Sequence, residues 1–239
     1  MLGRRMMALI AAREVAQLPE FGTTLLPGMA GFHPAPDTWL LNPSYLPLPA
    51  LTRLAVIDPR GPWAGIANCL PTLMAKSTRY GFAMDWVSYN VRYGFQPASL
   101  PGSPVAPGGS YDAIRVYLWA GLTHAETTGR KEILAAIPGM ADYLATHALP
   151  PEHIDSAGVM TGTNSPLGFS AALLPYLQAL DAKSALGTQT SRLSAHFNPS
   201  TSLYGHPPTY YDENLTLFGL GARQQWFAFG RDGELEVKW

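Results

Sequence analysis

Hydrophobic residues recur every three or four positions along much of the chain, a spacing that predicts helices with one buried face. The spacing is clear in eight segments and weaker in a ninth, Ala182–Phe197. Pro138 separates two of the eight, because a proline inside a helix removes a hydrogen bond. The eight predicted helices are Arg4–Ala16, Pro47–Ala55, Gly61–Lys76, Ser110–Leu122, Lys131–Ala136, Gly139–His147, Ser170–Leu180 and Tyr210–Leu220.

Long segments rich in proline, glycine and serine connect these helices. They cover Pro19–Pro43, Gln96–Gly109, Leu149–Pro166 and Asn198–Pro208. Connections of this length are unusual in a helical domain unless they build a binding surface. None of them has the length or the charge of a domain boundary, so we expect one domain over residues 1–239.

Patterns typical of strands are confined to short stretches. Short strands are expected at Thr23–Leu26 and Trp39–Leu41, and the last residues predict a β-hairpin of Trp226–Phe229 and Leu235–Val237. Arg231-Asp232-Gly233 supplies its turn, because Asp-Gly is favoured where the backbone reverses tightly. The prediction is a mainly all-α fold of helical hairpins around one core, with a short C-terminal hairpin.

The first residues combine two arginines with a short apolar run, Met6–Ala12, which also occurs in export signals. Arg13 and Glu14 follow the run at once, and Met6, Leu9 and Ile10 share one side of a helix. We therefore interpret the segment as an amphipathic helix rather than a signal peptide. The sequence has no run of about 18 apolar residues, so we expect no membrane span.

Charge and composition exclude several function classes. Only 14% of residues are charged and the net charge is −1, whereas average proteins carry about 25% charged residues. Nucleic acid and anionic membranes are therefore not expected as partners. The chain has a single cysteine, Cys69, and its six histidines lack the spacing of a helical metal site. We predict no disulfide, no metal site and no cofactor.

The segment GGSYDAIRVYLWAGL places one carboxylate and one guanidinium in an apolar, aromatic helix. Asp112 and Arg115 are three residues apart, which brings their side chains together on a helix. Two interpretations remain open. Asp112 is either a structural cap in the first helical turn, or a carboxylate that Arg115 and backbone N–H groups keep ionised for use as a base.

Aromatic rings alternate with amide, hydroxyl and carboxyl groups in several short segments. Such a mixture suits carbohydrate, because rings stack on the apolar faces of sugars while polar groups bind the hydroxyls. Each segment alone is also compatible with core and turns. The segments are Trp39–Pro47, Gly81–Val87, Phe169–Leu177 and Tyr210–Gly219.

Taken in order, these strings resemble glycoside hydrolase family 8, in particular the endo-β-1,4-glucanases (cellulases) that accompany bacterial cellulose synthesis. The resemblance covers nearly the whole chain. The strings that carry it are Leu25–Gly28, Leu41–Pro47, Gly81-Phe82 with Asp85–Val87, Ser110–Tyr117, Gly168–Pro175 and Leu217–Gly219.

The resemblance implies an (α/α)6 barrel, in which six helical hairpins surround an open cleft. It also implies hydrolysis of β-1,4-glucan polymers or oligosaccharides with inversion, which needs an acid and a base about 6.5–9.5 Å apart. A functional link to bacterial cellulose synthesis and a periplasmic or secreted location follow from the same resemblance.

Site residues are likewise implied by the resemblance. Asp112 corresponds to the general base, Arg115 to an arginine that keeps this base ionised, and Tyr45 to a tyrosine beside the bond that is cut. Trp39 and Tyr211 are expected as further sugar-contacting rings.

Two motifs of the family are not found in this sequence. The general acid is a Glu in a Ser-Glu-Gly-Gln-Ser-Tyr-Gly-like string, and an Ala-Ser-Asp-Gly-Asp-like string follows it; neither occurs here. We therefore expect the chain to match the C-terminal two-thirds of the family domain, as an incomplete barrel with an exposed apolar flank. Asp85 corresponds to a family aspartate that we interpret as structural.

Three hypotheses follow for the function. The chain is part of a β-1,4-glucanase that is inactive alone because it lacks its acid, or it is a non-catalytic remnant that binds glucan. The third hypothesis is a structural helical domain in which Asp112 only caps a helix. That last hypothesis predicts no cleft at Asp112 and burial of both Tyr45 and Trp39.

Overall fold

The computed structural model describes residues 2–162 and 164–238. Most of the regular structure in this part of the chain is helical, which confirms the predicted class. The helices are α1 (Leu2–Arg13), α2 (Leu48–Ile57), α3 (Trp63–Ser77), α4 (Ile114–Leu122), α5 (Arg130–Ala136), α6 (Gly139–Leu144), α7 (Leu167–Ala179), α8 (Lys183–Ala195) and α9 (Tyr210–Arg223). A 3-10 helix covers Pro43–Tyr45.

Short strands lie between the helices and form small antiparallel sheets. They are β1 (Val15–Leu18), β2 (Gly22–Leu25), β3 (Thr38–Leu41), β4 (Trp86–Asn90), β5 (Gly94–Ala98), β6 (Gly108–Gly109), β7 (His153–Asp155), β8 (Met160–Thr161), β9 (Phe197–Asn198), β10 (Leu203–Tyr204), β11 (Phe227–Phe229) and β12 (Leu235–Val237). The expected C-terminal hairpin is confirmed as β11 and β12.

Helix α7 forms the centre of the core. Its sequence, LGFSAALLPYLQA, is apolar almost all round, and its residues from Leu167 to Leu177 are all buried, as expected for a helix that is covered on every side. Helices α4, α8 and α9 pack against it. A side chain at Gly121 of α4 or Gly219 of α9 would come within 2.2 Å or 2.0 Å of the α7 backbone. Glycine at these positions therefore allows the close approach of both helices.

Helical hairpins are the repeating unit, as predicted for an incomplete (α/α)6 barrel. Helix α2 packs on α3, and α7 packs on α8. In the part of the chain that the structure describes, the helices do not close into a ring. The segment Ala182–Phe197, the weaker of the predicted helices, forms α8, and Pro138 separates α5 from α6 as predicted.

The sheet around Trp39 extends beyond the one strand that the sequence predicts there, Trp39–Leu41. Strands β3, β4 and β5 form a three-stranded antiparallel sheet in which Trp39 lies opposite Tyr89 and Tyr89 opposite Phe95. The segment Gly81–Val87, which contains Trp86, was not among the predicted strands. The hairpin of β4 and β5 reverses through Gly94, which has a φ of 68° that favours glycine.

The first helix carries several exposed apolar side chains. Helix α1 has no buried residue, and Leu2, Met6 and Leu9 are 72%, 53% and 45% exposed. The prediction that this helix reaches Ala16 is wrong, because Val15–Leu18 pairs with Gly22–Leu25 as a β-hairpin. Among the helices described, none is long and apolar enough to cross a membrane.

Candidate active site

Asp112 lies in a turn just before α4, not in the first turn of that helix. We predicted a helix from Ser110, but α4 begins at Ile114. Asp85 holds this turn: its Oδ1 accepts hydrogen bonds from the backbone N–H groups of Ser110, Asp112 and Ala113, at 2.8, 3.1 and 2.7 Å. Asp85 therefore satisfies the free N–H groups here, and the Asp112 side chain is left for other contacts.

Burial and hydrogen bonding have opposite effects on the pKa of the Asp85 carboxyl group. Burial raises the pKa of the Asp85 carboxyl above its usual value, while the N–H bonds from Ala113 and Ser110 act in the opposite direction. One oxygen that holds three backbone donors fixes the position of the turn. Asp85 therefore acts as a structural carboxylate.

Two donors from different parts of the chain hold the Asp112 carboxylate. Asn42 Nδ2 donates to Oδ2 at 2.9 Å, and Arg115 Nη2 donates to Oδ1 in an ion pair. The side chains of Asp112 and Arg115 remain 26% and 25% exposed. The carboxylate is thus fixed in orientation and still open to solvent.

A second layer of hydrogen bonds fixes these donors in turn. Asn42 Oδ1 accepts bonds from the backbone N–H and the hydroxyl of Ser44, at 3.0 and 2.7 Å, so its amide nitrogen faces Asp112. Ser44 Oγ accepts a bond from Arg115 Nη2 at 3.0 Å, and Arg115 Nη1 donates to the carbonyl of Tyr111 at 3.0 Å. Asn42, Ser44, Arg115 and Asp112 therefore form a closed ring of hydrogen bonds.

An open groove of about 360 Å³ lies over Asp112, which we call the Asp112 groove. Its size falls in the usual range for ligand sites. The loop of residues 98–106 contributes one side of it. The side chains that line it include those of Asp85, Trp86, Ser110, Tyr111, Asp112 and His153.

The three rings that were predicted to contact sugar lie in different positions relative to the groove. Tyr45 is 43% exposed and meets Trp86 of the groove edge-on, with ring centroids 6.2 Å apart. Tyr211 is half-buried; its hydroxyl donates to the Tyr111 carbonyl at 2.8 Å and its ring lies 5.5 Å from that of Tyr111. Burial raises the pKa of Tyr211 well above its usual value. Tyr211 thus supports the Tyr111 backbone from the side.

Trp39 is not brought to the groove. It is only 7% exposed, and its ring stacks on His33 with centroids 4.6 Å apart and planes at 7°. Its strand, Thr-Trp-Leu-Leu, lacks an alternating pattern, so the pattern does not indicate which side faces inward. The expectation that Trp39 contacts sugar is corrected here, because the indole lies in the core.

Four residues of the site were given no role of their own from the sequence, although three of them lie in the aromatic and polar segments named above. Asn42 and Ser44 hold the carboxylate and its arginine, Trp86 lines the groove, and Glu152 Oε1 accepts a bond from the Tyr111 hydroxyl at 2.8 Å. Burial and this hydrogen bond raise the pKa of Tyr111 to about 12. The Asn-Pro-Ser sequence, typical of a turn held by an asparagine side chain, was the available signal for two of them.

The structural-domain hypothesis predicted no cleft at Asp112 and two buried rings. A groove lies over Asp112 and Tyr45 is exposed, although Trp39 is buried as that hypothesis requires. The groove and the partly exposed carboxylate point instead to a site that meets a ligand.

Comparison with known proteins gives a consistent result. The chain is 43% identical over 238 residues to an endoglucanase of Xanthomonas axonopodis pv. citri, and 35% identical over 242 residues to an endoglucanase of Escherichia coli K12. These matches cover 99% and 100% of this chain but 59% and 60% of the relatives, so the chain spans about three-fifths of their length.

Solved structures agree with the sequence matches. The endo-1,4-D-glucanase from Vibrio fischeri ES114 superimposes with a TM-score of 0.86 at 31% identity, over 100% of this chain and 66% of that one. The endo-β-1,4-glucanase CMCax from Acetobacter xylinum gives 0.68 at 25% identity, over 92% and 62%. The family model for glycosyl hydrolases family 8 matches residues 5–225, and the chain belongs to this family.

Proposed function

We propose that this chain provides the base side of an inverting endo-β-1,4-glucanase site, with Asp112 as the general base. The observation that carries the proposal is a carboxylate fixed by two donors at the floor of an open groove. Membership of family 8 supports the same assignment.

In the proposed reaction, an Asp112 oxygen takes a proton from a water in the groove. The water oxygen forms a bond to the anomeric carbon from the face opposite the leaving group, and the bond to the glycosidic oxygen breaks. An acid protonates that leaving oxygen. Because the family's Glu motif is not in this sequence, the proposal assigns the acid to no residue of this chain.

Two features would support the action on sugar: the aromatic rings at the groove and the fixed orientation of the Asp112 carboxylate. Trp86 lines the groove, and the exposed ring of Tyr45 lies beside it, with centroids 6.2 Å apart; such rings stack on pyranose rings. Arg115 restrains the base by its bonds to Asp112, Ser44 and the Tyr111 carbonyl. Tyr211 contributes indirectly, by fixing that same carbonyl.

The second candidate function is a glucan-binding unit without turnover. The specific observation in its favour is the missing acid motif. Because general acid catalysis contributes about 10²–10⁴-fold, loss of the acid alone would make hydrolysis hard to detect while the groove still binds sugar.

The test compares hydrolysis with binding. Reducing ends released from carboxymethylcellulose and quenching of tryptophan fluorescence by cellohexaose are measured for the chain, for Asp112→Asn and for Asp181→Asn. Asp181 is the matched control, because its side chain is 79% exposed and its ion pair is with the equally exposed Lys183. We expect Asp112→Asn to lower any hydrolysis by about 10²–10⁴-fold and to change cellohexaose affinity by less than threefold.

The outcomes separate the candidates. Binding without measurable hydrolysis in the unmodified chain supports the binding unit, and equal hydrolysis by Asp112→Asn and Asp181→Asn contradicts Asp112 as the base. Absence of both binding and hydrolysis contradicts both candidates. Tyr45→Ala should weaken cellohexaose binding at least tenfold if its ring stacks on sugar.

We extend the proposal to the setting in which the protein acts. The substrate is β-1,4-glucan outside the cytoplasmic membrane, and the activity accompanies bacterial cellulose synthesis. The support is the sequence resemblance together with the likeness to an endo-β-1,4-glucanase of known structure. Fractionation of cells that carry the intact gene, with detection of the protein in the periplasm or medium, tests the location.

A further inference from the structure

A second cavity of about 340 Å³ lies at the opposite end of α4 from Asp112, and we call it the Arg130 cavity. It is formed where the ends of α4 and α9 meet α7 and the strand β11. One part of its lining is apolar and aromatic, and the other part carries cationic and amide groups. The side chains that line it include those of His124, Arg130, Gln178, Arg223, Phe227 and Phe229.

Arg130 is placed where a cation is unfavourable. Its Nε is fully buried without a hydrogen-bond partner, and among the described residues its guanidinium forms no ion pair. Burial lowers the pKa of Arg130, and no nearby carboxylate offsets this effect. Arg130 is also the first residue of α5, where the positive end of the helix repels a positive charge.

The other polar groups of the cavity add positive charge or donors. Arg223 lines it from the last turn of α9. His124 Nδ1 accepts the backbone N–H of Glu126 at 3.2 Å, so Nε2 carries the proton of the neutral ring. No Asp or Glu is among the residues that line the cavity. The cavity therefore collects cationic groups and donors without a protein anion to balance them.

We propose that the Arg130 cavity is a binding site for a small phosphate monoester that carries an apolar ring. Guanidinium groups bind phosphate oxygens with paired N–H donors, and Phe227 and Phe229 supply an apolar wall for the ring. The volume is within the range of small-molecule sites. The site is distinct from the Asp112 groove, because α4 has nine residues and thus separates the two by about 13 Å.

The test measures binding of inorganic phosphate and of phenyl phosphate by calorimetry, in a phosphate-free buffer. The variants are Arg130→Gln and, as matched control, Arg60→Gln, because Arg60 is exposed and lies outside the cavity. We expect phenyl phosphate to bind more tightly than inorganic phosphate. We also expect Arg130→Gln to weaken both at least tenfold, and Arg60→Gln to change neither by more than twofold.

Two results would overturn the proposal. One is the absence of binding of either probe at 10 mM, and the other is an equal effect of both variants. If Arg130→Gln does not fold, the Nε–H resonance of Arg130 in the unmodified protein decides the question. It must shift on addition of phosphate and stay unchanged on addition of the same concentration of chloride.

Discussion

The two ends of α4 differ in how their charges are satisfied, although each borders a cavity of similar size, about 360 Å³ and 340 Å³. At the first end, Asp112 is held by Asn42 and Arg115. At the other end, Arg130 has a buried Nε without a partner. The charge of Asp112 is held in position by protein partners, whereas the proposed partner of the Arg130 charge is a ligand.

This difference explains why the same helix can serve two kinds of site. A base must be held in one orientation before the substrate arrives, and the ring of Asn42, Ser44, Arg115 and Asp112 does this. A binding site for an anion gains affinity from donors that are unpaired in the empty protein. The predictions below change one end at a time.

The largest effect is expected from Asn42→Asp. The substitution keeps the shape of the side chain but replaces the donor to Asp112 by a second carboxylate, which opposes ionisation of both groups. We expect glucan hydrolysis near pH 5 to fall about 100-fold, and the acid limb of the pH–rate profile to move to higher pH. Reducing-end release across pH 4–8 measures both.

The control for this variant is Asn198→Asp. The Asn198 side chain accepts bonds from Ser200 within an exposed turn, so a carboxylate there leaves the profile unchanged. If the chain releases no reducing ends, the titration of side-chain carboxyl groups followed by carbon NMR replaces the rate. An unchanged acid limb in Asn42→Asp would show that the amide does not position the base.

Asp85→Ala is expected to have the largest effect on stability. It leaves the N–H groups of Ser110, Asp112 and Ala113 without their acceptor, and water from the groove compensates only in part. We expect the free energy of unfolding to fall by about 3 kcal/mol, and by about 1 kcal/mol for Asp85→Asn, which keeps an oxygen acceptor. Urea denaturation measures both changes.

Asp155→Ala provides the matched comparison. Asp155 Oδ1 accepts two backbone N–H groups, of Ala157 and Val159, in an exposed turn, where water replaces the lost acceptor. We expect a cost of about 1 kcal/mol. Equal costs for Asp85→Ala and Asp155→Ala would contradict a special structural role for Asp85.

Removing one arginine at each end of α4 tests the comparison directly. Arg115→Met leaves Asp112 with Asn42 as its remaining side-chain donor, and we expect it to lower the free energy of unfolding by about 1–2 kcal/mol. Arg130→Met removes a partly buried charge that has no partner, and we expect it to raise that free energy by about 0.5–1 kcal/mol. Urea denaturation in phosphate-free buffer measures the sign of the change in the free energy of unfolding for both variants. A loss of stability in Arg130→Met would show that the charge of Arg130 is already satisfied within the protein.

Sequence reasoning predicted the features that depend on local pattern. The helix break at Pro138 and the hairpin around Asp232-Gly233 follow from backbone chemistry within a few residues, and the structure has both. The ion pair of Asp112 and Arg115 was predicted as well, because three-residue spacing brings such side chains together.

Features that depend on contacts between distant residues could not be predicted in this way. Asn42 and Asp112 are 70 positions apart, and no local pattern links an amide in one loop to a carboxylate in another. The start of α4 was misplaced as well, and the turn that takes the place of the predicted first residues is held by Asp85, from a distant loop. The unpaired Arg130 has no signature in the sequence at all.

The smallest effect concerns Tyr111, whose hydroxyl donates to Glu152. Burial and this bond raise its pKa to about 12 in the folded protein, above the value near 10 of an unfolded chain. The folded state therefore keeps the phenol proton to higher pH, and the stability it contributes is present below pH 10 and lost as the pH rises towards 12.

Absorbance titrations at 295 nm, recorded within seconds of mixing, test this expectation. Tyr111→Phe should reduce the absorbance change above pH 11 and leave the absorbance change between pH 9 and 10.5 intact. Tyr210→Phe removes a side chain that is 88% exposed and serves as the control for the loss of one phenol; a loss in Tyr111→Phe that falls between pH 9 and 10.5 would contradict the bond to Glu152.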